Sequence, residues 1–198
     1  MQDQAKVSLS GFELNLVSDA NIILTKNTII KKVVQLFGQL NTAYKHEPLL
    51  LKLPSEVLLQ PAKISKGENY KGLPYIMLDY PRCFGKEDVF AIRTFFWWGN
   101  FFSITLHLKG IYKEQYQQKI FNAISNNQLN GSFINTNSAE WEHYLSDSYK
   151  IISSSLHTVT LQENAVLKLV SKIELKEWEL AEEFLQVQFK KYLELLLT

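Results

Sequence analysis

The chain has 198 residues, of which 46% are hydrophobic, 21% charged and 13% aromatic, with a net charge of +1. This excludes a disordered chain, and the scarcity of Gly (8) and Pro (5) excludes collagen-like and low-complexity architectures. Near-neutral charge also argues against a dedicated nucleic-acid binder, whose footprint is a clearly basic face.

The length fits one soluble domain, 1–198. Cys83 stands alone, so no intrachain disulfide can form. The first residues, Met1 to Lys6, lack the basic start and apolar run of a signal peptide, and the expected location is cytoplasmic. Only residues 89–108 raise a membrane question. Arg93, Asn100 and His107 interrupt them, so they read as a hairpin and no membrane partner is expected. Asn130-Gly131-Ser132 matches a glycosylation sequon but reads more simply as a turn.

Along the chain, residues 11–24 are apolar and read as a short helix. A stronger helix is expected over 25–44, where Ile29, Ile30, Val33, Phe37, Leu40 and Tyr44 recur on one face and Thr25 or Asn27 serves as N-cap. Residues 48–72, with three prolines and two glycines, read as mostly irregular around a short apolar piece at 56–60. A strand is expected over 73–82, with Pro74 near its start, then a turn at 83–86.

Residues 87–98 and 101–109 are rich in aromatic and β-branched residues and are separated by Gly99-Asn100. A two-residue type II′ turn there would pair Trp98 with Phe101. In that register one face carries Val89, Ala91, Arg93, Phe95 and Trp97 with Phe102, Ile104, Leu106 and Leu108, and reads as core. The other carries Phe90, Ile92, Thr94, Phe96 and Trp98 with Phe101, Ser103, Thr105, His107 and Lys109. The strand before it can add Tyr75, Met77 and Asp79 to this mixed face.

A helix follows at 111–125, then a short strand at 132–135, a short helix at 140–145 and a closing helix at 174–196. The closing helix carries a buried stripe of Trp178, Ala181, Leu185, Phe189, Tyr192 and Leu196. Strands grouped between terminal helices predict an α+β fold with an antiparallel sheet built around the aromatic hairpin.

No standard catalytic signature is present. Gly67 to Gly72 has the glycine spacing of a phosphate-binding loop, but Leu73-Pro74 stands where Lys-Ser/Thr is required. None of His46, His107, His143 and His157 has a second His or Cys two to four residues on, and Glu140 and Glu142 beside His143 are a common chance pairing, so neither metal nor cofactor is expected. Arg93, placed among apolar residues, must be paired, with Asp79, Asp88 or Glu87 as candidates. The basic loop 63–71 reads as solvated, or as the lip of a pocket. Residues 70–102 hold 11 of the 25 aromatic residues, which marks a core or a binding face.

The reading is a non-catalytic ligand-binding or protein-interaction domain that uses the mixed sheet face. Tyr75, Asp79, Arg93, Thr94, Thr105 and His107 would supply polar contacts, and Phe96 and Trp98 apolar walls. The alternative is a small-molecule enzyme in which His107 acts as general base, oriented by Asp79, while Arg93 holds an anionic group. A third reading is a homodimer that buries Trp97, Trp98, Phe101 and Phe102 at the hairpin tip.

Overall fold

The computed structural model describes residues 7–137, 140–153 and 164–197. Helices α1 (Gly11–Ser18) and α2 (Ala20–Lys45) lead through two 3₁₀ turns, Pro48–Lys52 and Ser55–Leu58, into the strands. Strands β1 (Lys63–Tyr70), β2 (Leu73–Phe84), β3 (Val89–Trp97) and β4 (Phe101–Lys109) run as successive hairpins. Helix α3 (Ile111–Ser125) precedes β5 (Phe133–Asn135), β6 (Tyr149–Ile151) and β7 (Val166–Glu174). A 3₁₀ turn at Leu175–Leu180 then leads into α4 (Ala181–Leu197). The sheet is antiparallel with strand order β1-β2-β3-β4-β7-β5-β6, and the fold is α+β.

Helices α2, α3 and α4 cover one face of the sheet. The stripe Val33, Phe37, Leu40 and Tyr44 of α2 is buried there, as three-to-four spacing requires. So are Tyr112, Tyr116, Ile120 and Ile124 of α3, and Leu185, Phe189 and Tyr192 of α4. They meet Ile76, Leu78, Phe90, Ile92, Phe96, Phe102, Ile104, Leu106 and Leu108 from the sheet in one core. Each such side chain contributes about 1.5–3 kcal/mol on burial.

The hairpin register differs from the sequence expectation by one residue. Trp97 pairs with Phe101, and Trp98-Gly99-Asn100 form a three-residue loop. The Trp97 carbonyl accepts from Asn100 N–H at 3.1 Å, and Gly99 takes φ +71°, as the third residue of a type II turn demands. Because strand side chains alternate, this slip moves the whole of β4 to the opposite face relative to β3. Phe102, Ile104, Leu106 and Leu108 thus join Phe90, Ile92, Thr94 and Phe96 under the helices. Ser103, Thr105 and His107 join Ala91, Arg93, Phe95 and Trp97 on the other face.

Other boundaries move for local reasons. The main helix starts at Ala20, capped by the Asp19 carboxylate, which accepts from Asn21 N–H at 2.9 Å, rather than by Thr25 or Asn27. Residues 63–70, expected as a loop, form β1 and turn into β2 through Lys71 and Gly72 at φ +54° and +83°. Strand β2 runs on to Phe84 past a bulge at Tyr80-Pro81, a cis peptide, and its turn closes with Gly85 N–H donating to Asp88 O. Residues 140–145 are irregular rather than helical. Strand β7, unassigned from sequence, ends at Glu174, so the closing helix begins after a break at Glu177 (φ −98°, ψ 32°). The hairpin tip is covered, since Trp97, Phe101 and Phe102 are buried and Trp98 packs on the main core.

Candidate functional site

Among the described residues, no second helical layer covers the face away from the helices. Residues 140–148 lie across that face as an irregular strap, and sheet side chains hold that strap. The Tyr70 hydroxyl on β1 accepts from His143 N–H at 2.7 Å and Tyr144 N–H at 3.1 Å. Lys168 on β7 donates its Nζ to the carbonyls of Glu140 at 3.0 Å and Glu142 at 2.6 Å. Lys109 at the end of β4 donates to Glu140 Oε2 at 3.0 Å, and the Tyr149 hydroxyl donates to Glu142 O at 3.2 Å.

Arg93 lies at the centre. Its partner is Asp79, directly opposite on β2, with Nε to Oδ1 at 2.6 Å and Nη2 to Oδ2 at 3.0 Å. Nη1 donates to His143 Nε2 at 2.9 Å, so that nitrogen is the acceptor of a neutral ring. Asp88 serves elsewhere, accepting from Ile111 N–H at 2.9 Å at the start of α3, whose cap residue, Gly110, has no side chain to do so.

His107 pairs with Ala91 and Lys168, one row of side chains away from the row containing Asp79, Arg93 and Thr105. It is only 3% exposed. The Trp141 ring covers it at 5.8 Å, Glu140 Oε1 lies 3.9 Å from Nε2, and Nε2 has no hydrogen-bond partner among the described residues. Asp79 therefore does not orient it. Burial, reinforced by the charges of Lys168, Arg93 and Lys109, pulls the His107 pKa down to about 3. Burial and the charges of Arg93, Lys168 and His107 likewise pull His143 down to about 2. Lys168 falls to about 8 through burial and Arg93 repulsion, opposed by Glu142 and Glu140. Two neutral imidazoles beside cations are what a desolvated, cation-rich layer imposes.

The sequence-derived site is thus divided between the faces. Tyr75, Asp79, Arg93, Thr105 and His107 share the strap face. Tyr75 belongs to its aromatic end with Tyr70, Phe95 and Trp97, where Gly67 leaves room for its ring: a Cβ there would sit 2.4 Å from it. Thr94 and Phe96 point into the helical core instead. The Thr94 hydroxyl meets Tyr44 OH at 3.0 Å, and Phe96 packs on Phe102 and Trp178. Trp98 sits in the turn, edge-on to Phe96. His143, Lys168, Tyr70 and Glu140 were not among the predicted contacts. Lys168 had a visible signal, a lysine inside the apolar run Val166–Val170 that only a buried partner could tolerate.

Among the described residues no group of three or more His, Cys, Asp and Glu side chains could hold a metal ion, and no helix is long and apolar enough to cross a membrane. His157 lies outside the described residues. Surface grooves of about 230–380 Å³ lie between Tyr44 of α2 and Phe189 of α4, and between Leu129 in the turn after α3 and Leu195 of α4. No family model, curated protein or solved structure matches the chain.

A different surface stands out. Every residue from 7 to 25 is exposed, and α1 has no buried residue. Yet Val7, Leu9, Phe12, Leu14, Leu16, Val17, Ile22, Ile23 and Leu24 are all large and apolar, with Val7 96%, Phe12 72% and Val17 71% exposed. Over the remaining described residues, exposed apolar side chains are scattered. A capping box starts α1: Ser10 Oγ accepts from Glu13 N–H at 3.2 Å, and Glu13 Oε2 accepts from Ser10 N–H at 2.7 Å.

Proposed function

We propose that the protein is a non-catalytic interaction domain of the cytoplasm that binds a protein partner through its N-terminal arm, residues 7–24. The observation that carries this is the exposure of nine large apolar side chains along that arm, from Val7 to Leu24. An eight-residue helix is marginal in water without packing, so α1 needs a partner surface. Contiguous apolar patches of this kind mark interaction sites on soluble proteins. The sheet and its strap then act as the scaffold that presents the arm.

The alternative, an enzyme with His107 as base and Arg93 as anion holder, has the site geometry against it. Arg93 is occupied by Asp79 and His143, and Trp141 lies over His107. The near-neutral balance of the chain favours a protein partner over nucleic acid.

A photo-crosslinking residue placed at Phe12 or Val17 of the full chain in cells tests the reading. The expected result is a discrete adduct from both positions and none from Leu59, which is equally exposed but outside the arm. Absence of an adduct from either arm position overturns it.

A further inference from the structure

We infer that the arm's partner is the arm of a second copy of this chain, the two related by a two-fold axis and running antiparallel. The inference rests on the interaction reading above and names its partner. The first argument is area. Nine large apolar side chains at the observed exposures present roughly 1,000 Å² in total over all sides of the arm, so a partner that wraps it has enough apolar surface to approach the ~800 Å² that each side of a standard stable interface buries.

The second argument is charge. Residues 7–25 carry Glu13 and Asp19 and no cation, whereas the next turns of α2 carry Lys26, Lys31 and Lys32. Lys26 is bonded to Glu68, and Lys31 and Lys32 are exposed. An element with an acidic first half and a basic second half complements itself only when the second copy is reversed. That is the geometry of a two-fold, same-patch interface. The same charges count against a lipid surface, because the apolar part of the arm lacks the Lys/Arg that anionic headgroups attract. The break at Asp19 (φ −100°, ψ 97°) sets α1 at an angle to α2, so the two arms can embrace rather than lie as single rods.

Sedimentation velocity of the full chain at micromolar concentration tests this. The expected species is twice 23.0 kDa, 46.0 kDa. Phe12→Ser with Val17→Ser, both exposed positions, should raise the dimer dissociation constant at least ~10-fold, as loss of central apolar anchors does. The far-UV ellipticity should fall by no more than the loss of the eight residues of α1 would cause. Lys31→Glu with Lys32→Glu, which leaves the apolar arm intact, should also weaken the dimer.

A wild-type dimer insensitive to the arm substitutions overturns the inference, because the contact then lies elsewhere. A wild-type monomer overturns it too. If the crosslinker at Phe12 then joins the monomer to a different chain, only the second-copy assignment falls. If it joins nothing, the interaction reading falls with it.

Discussion

Arg93 lies side-on against Asp79 of the neighbouring strand, with two parallel N–H···O contacts, and passes a third N–H to the ring of His143 on the strap. Both charges are nearly dry, at 10% and 6% side-chain exposure. Taking two ions out of water costs several kcal/mol, which this geometry offsets only while both partners are present. Asp79→Ala should therefore destabilise the protein by about 3–5 kcal/mol in urea unfolding. Replacing both, Asp79→Leu with Arg93→Met, should cost less than the single change. A smaller loss for Asp79→Ala than for the pair would show that the ions do not depend on one another.

Tyr70 tests whether the strap is an independently opening unit. Its hydroxyl is the common acceptor for two backbone N–H groups, and Tyr70→Phe leaves both without it. The expected cost is about 1–3 kcal/mol, confined to the strap. Hydrogen exchange should accelerate ~10-fold or more over residues 140–148 while the amides of β3 and β4 keep their protection. Uniform acceleration across the sheet would mean that the strap opens only with global unfolding.

The two buried imidazoles make stability depend on pH. Folded His107 has a pKa near 3, whereas an unfolded histidine titrates near 6.5. Between those values the unfolded chain binds the extra proton, so stability is full above pH 6.5 and is lost as pH falls toward 3. By pH 5 the His107 contribution to that loss is about 2 kcal/mol. His107→Gln removes the titration, and its urea midpoint should fall less steeply than wild type between pH 7 and 5. Identical slopes would place the proton-linked loss on other groups.

Gly110 joins β4 to α3 at φ +59°, and a Cβ there would sit 2.0 Å from Asp88 Oδ1, the oxygen that accepts from Ile111 N–H. Gly110→Ala should combine backbone strain with loss of this cap and cost about 1–3 kcal/mol. A thermal melt within experimental error of wild type would show that the junction relaxes freely.

The sequence carried the α+β class, the α2 stripe from Val33 to Tyr44, helix α3 and the buried face of α4. Each is a periodic pattern over many residues, and periodicity survives any tertiary context. It also carried the chemistry of Arg93, since a charge among apolar neighbours must find a counter-charge, and Asp79 was among the candidates. What it could not determine was which side of the sheet each β4 residue occupies. Gly99-Asn100 fits both a two-residue and a three-residue loop, and one residue of slip exchanges Thr105 and His107 for Ile104 and Leu106. Only burial of Phe102, Ile104, Leu106 and Leu108 against three helices selects the observed register. The strap was equally hidden. Residues 140–145 have no regular pattern, and their place depends on Tyr70, Arg93, Lys109 and Lys168, which come from four different strands and meet only when the sheet is assembled. The N-terminal arm shows the converse. Its apolar residues are plain in the sequence, but only the folded domain reveals that nothing among the described residues covers them.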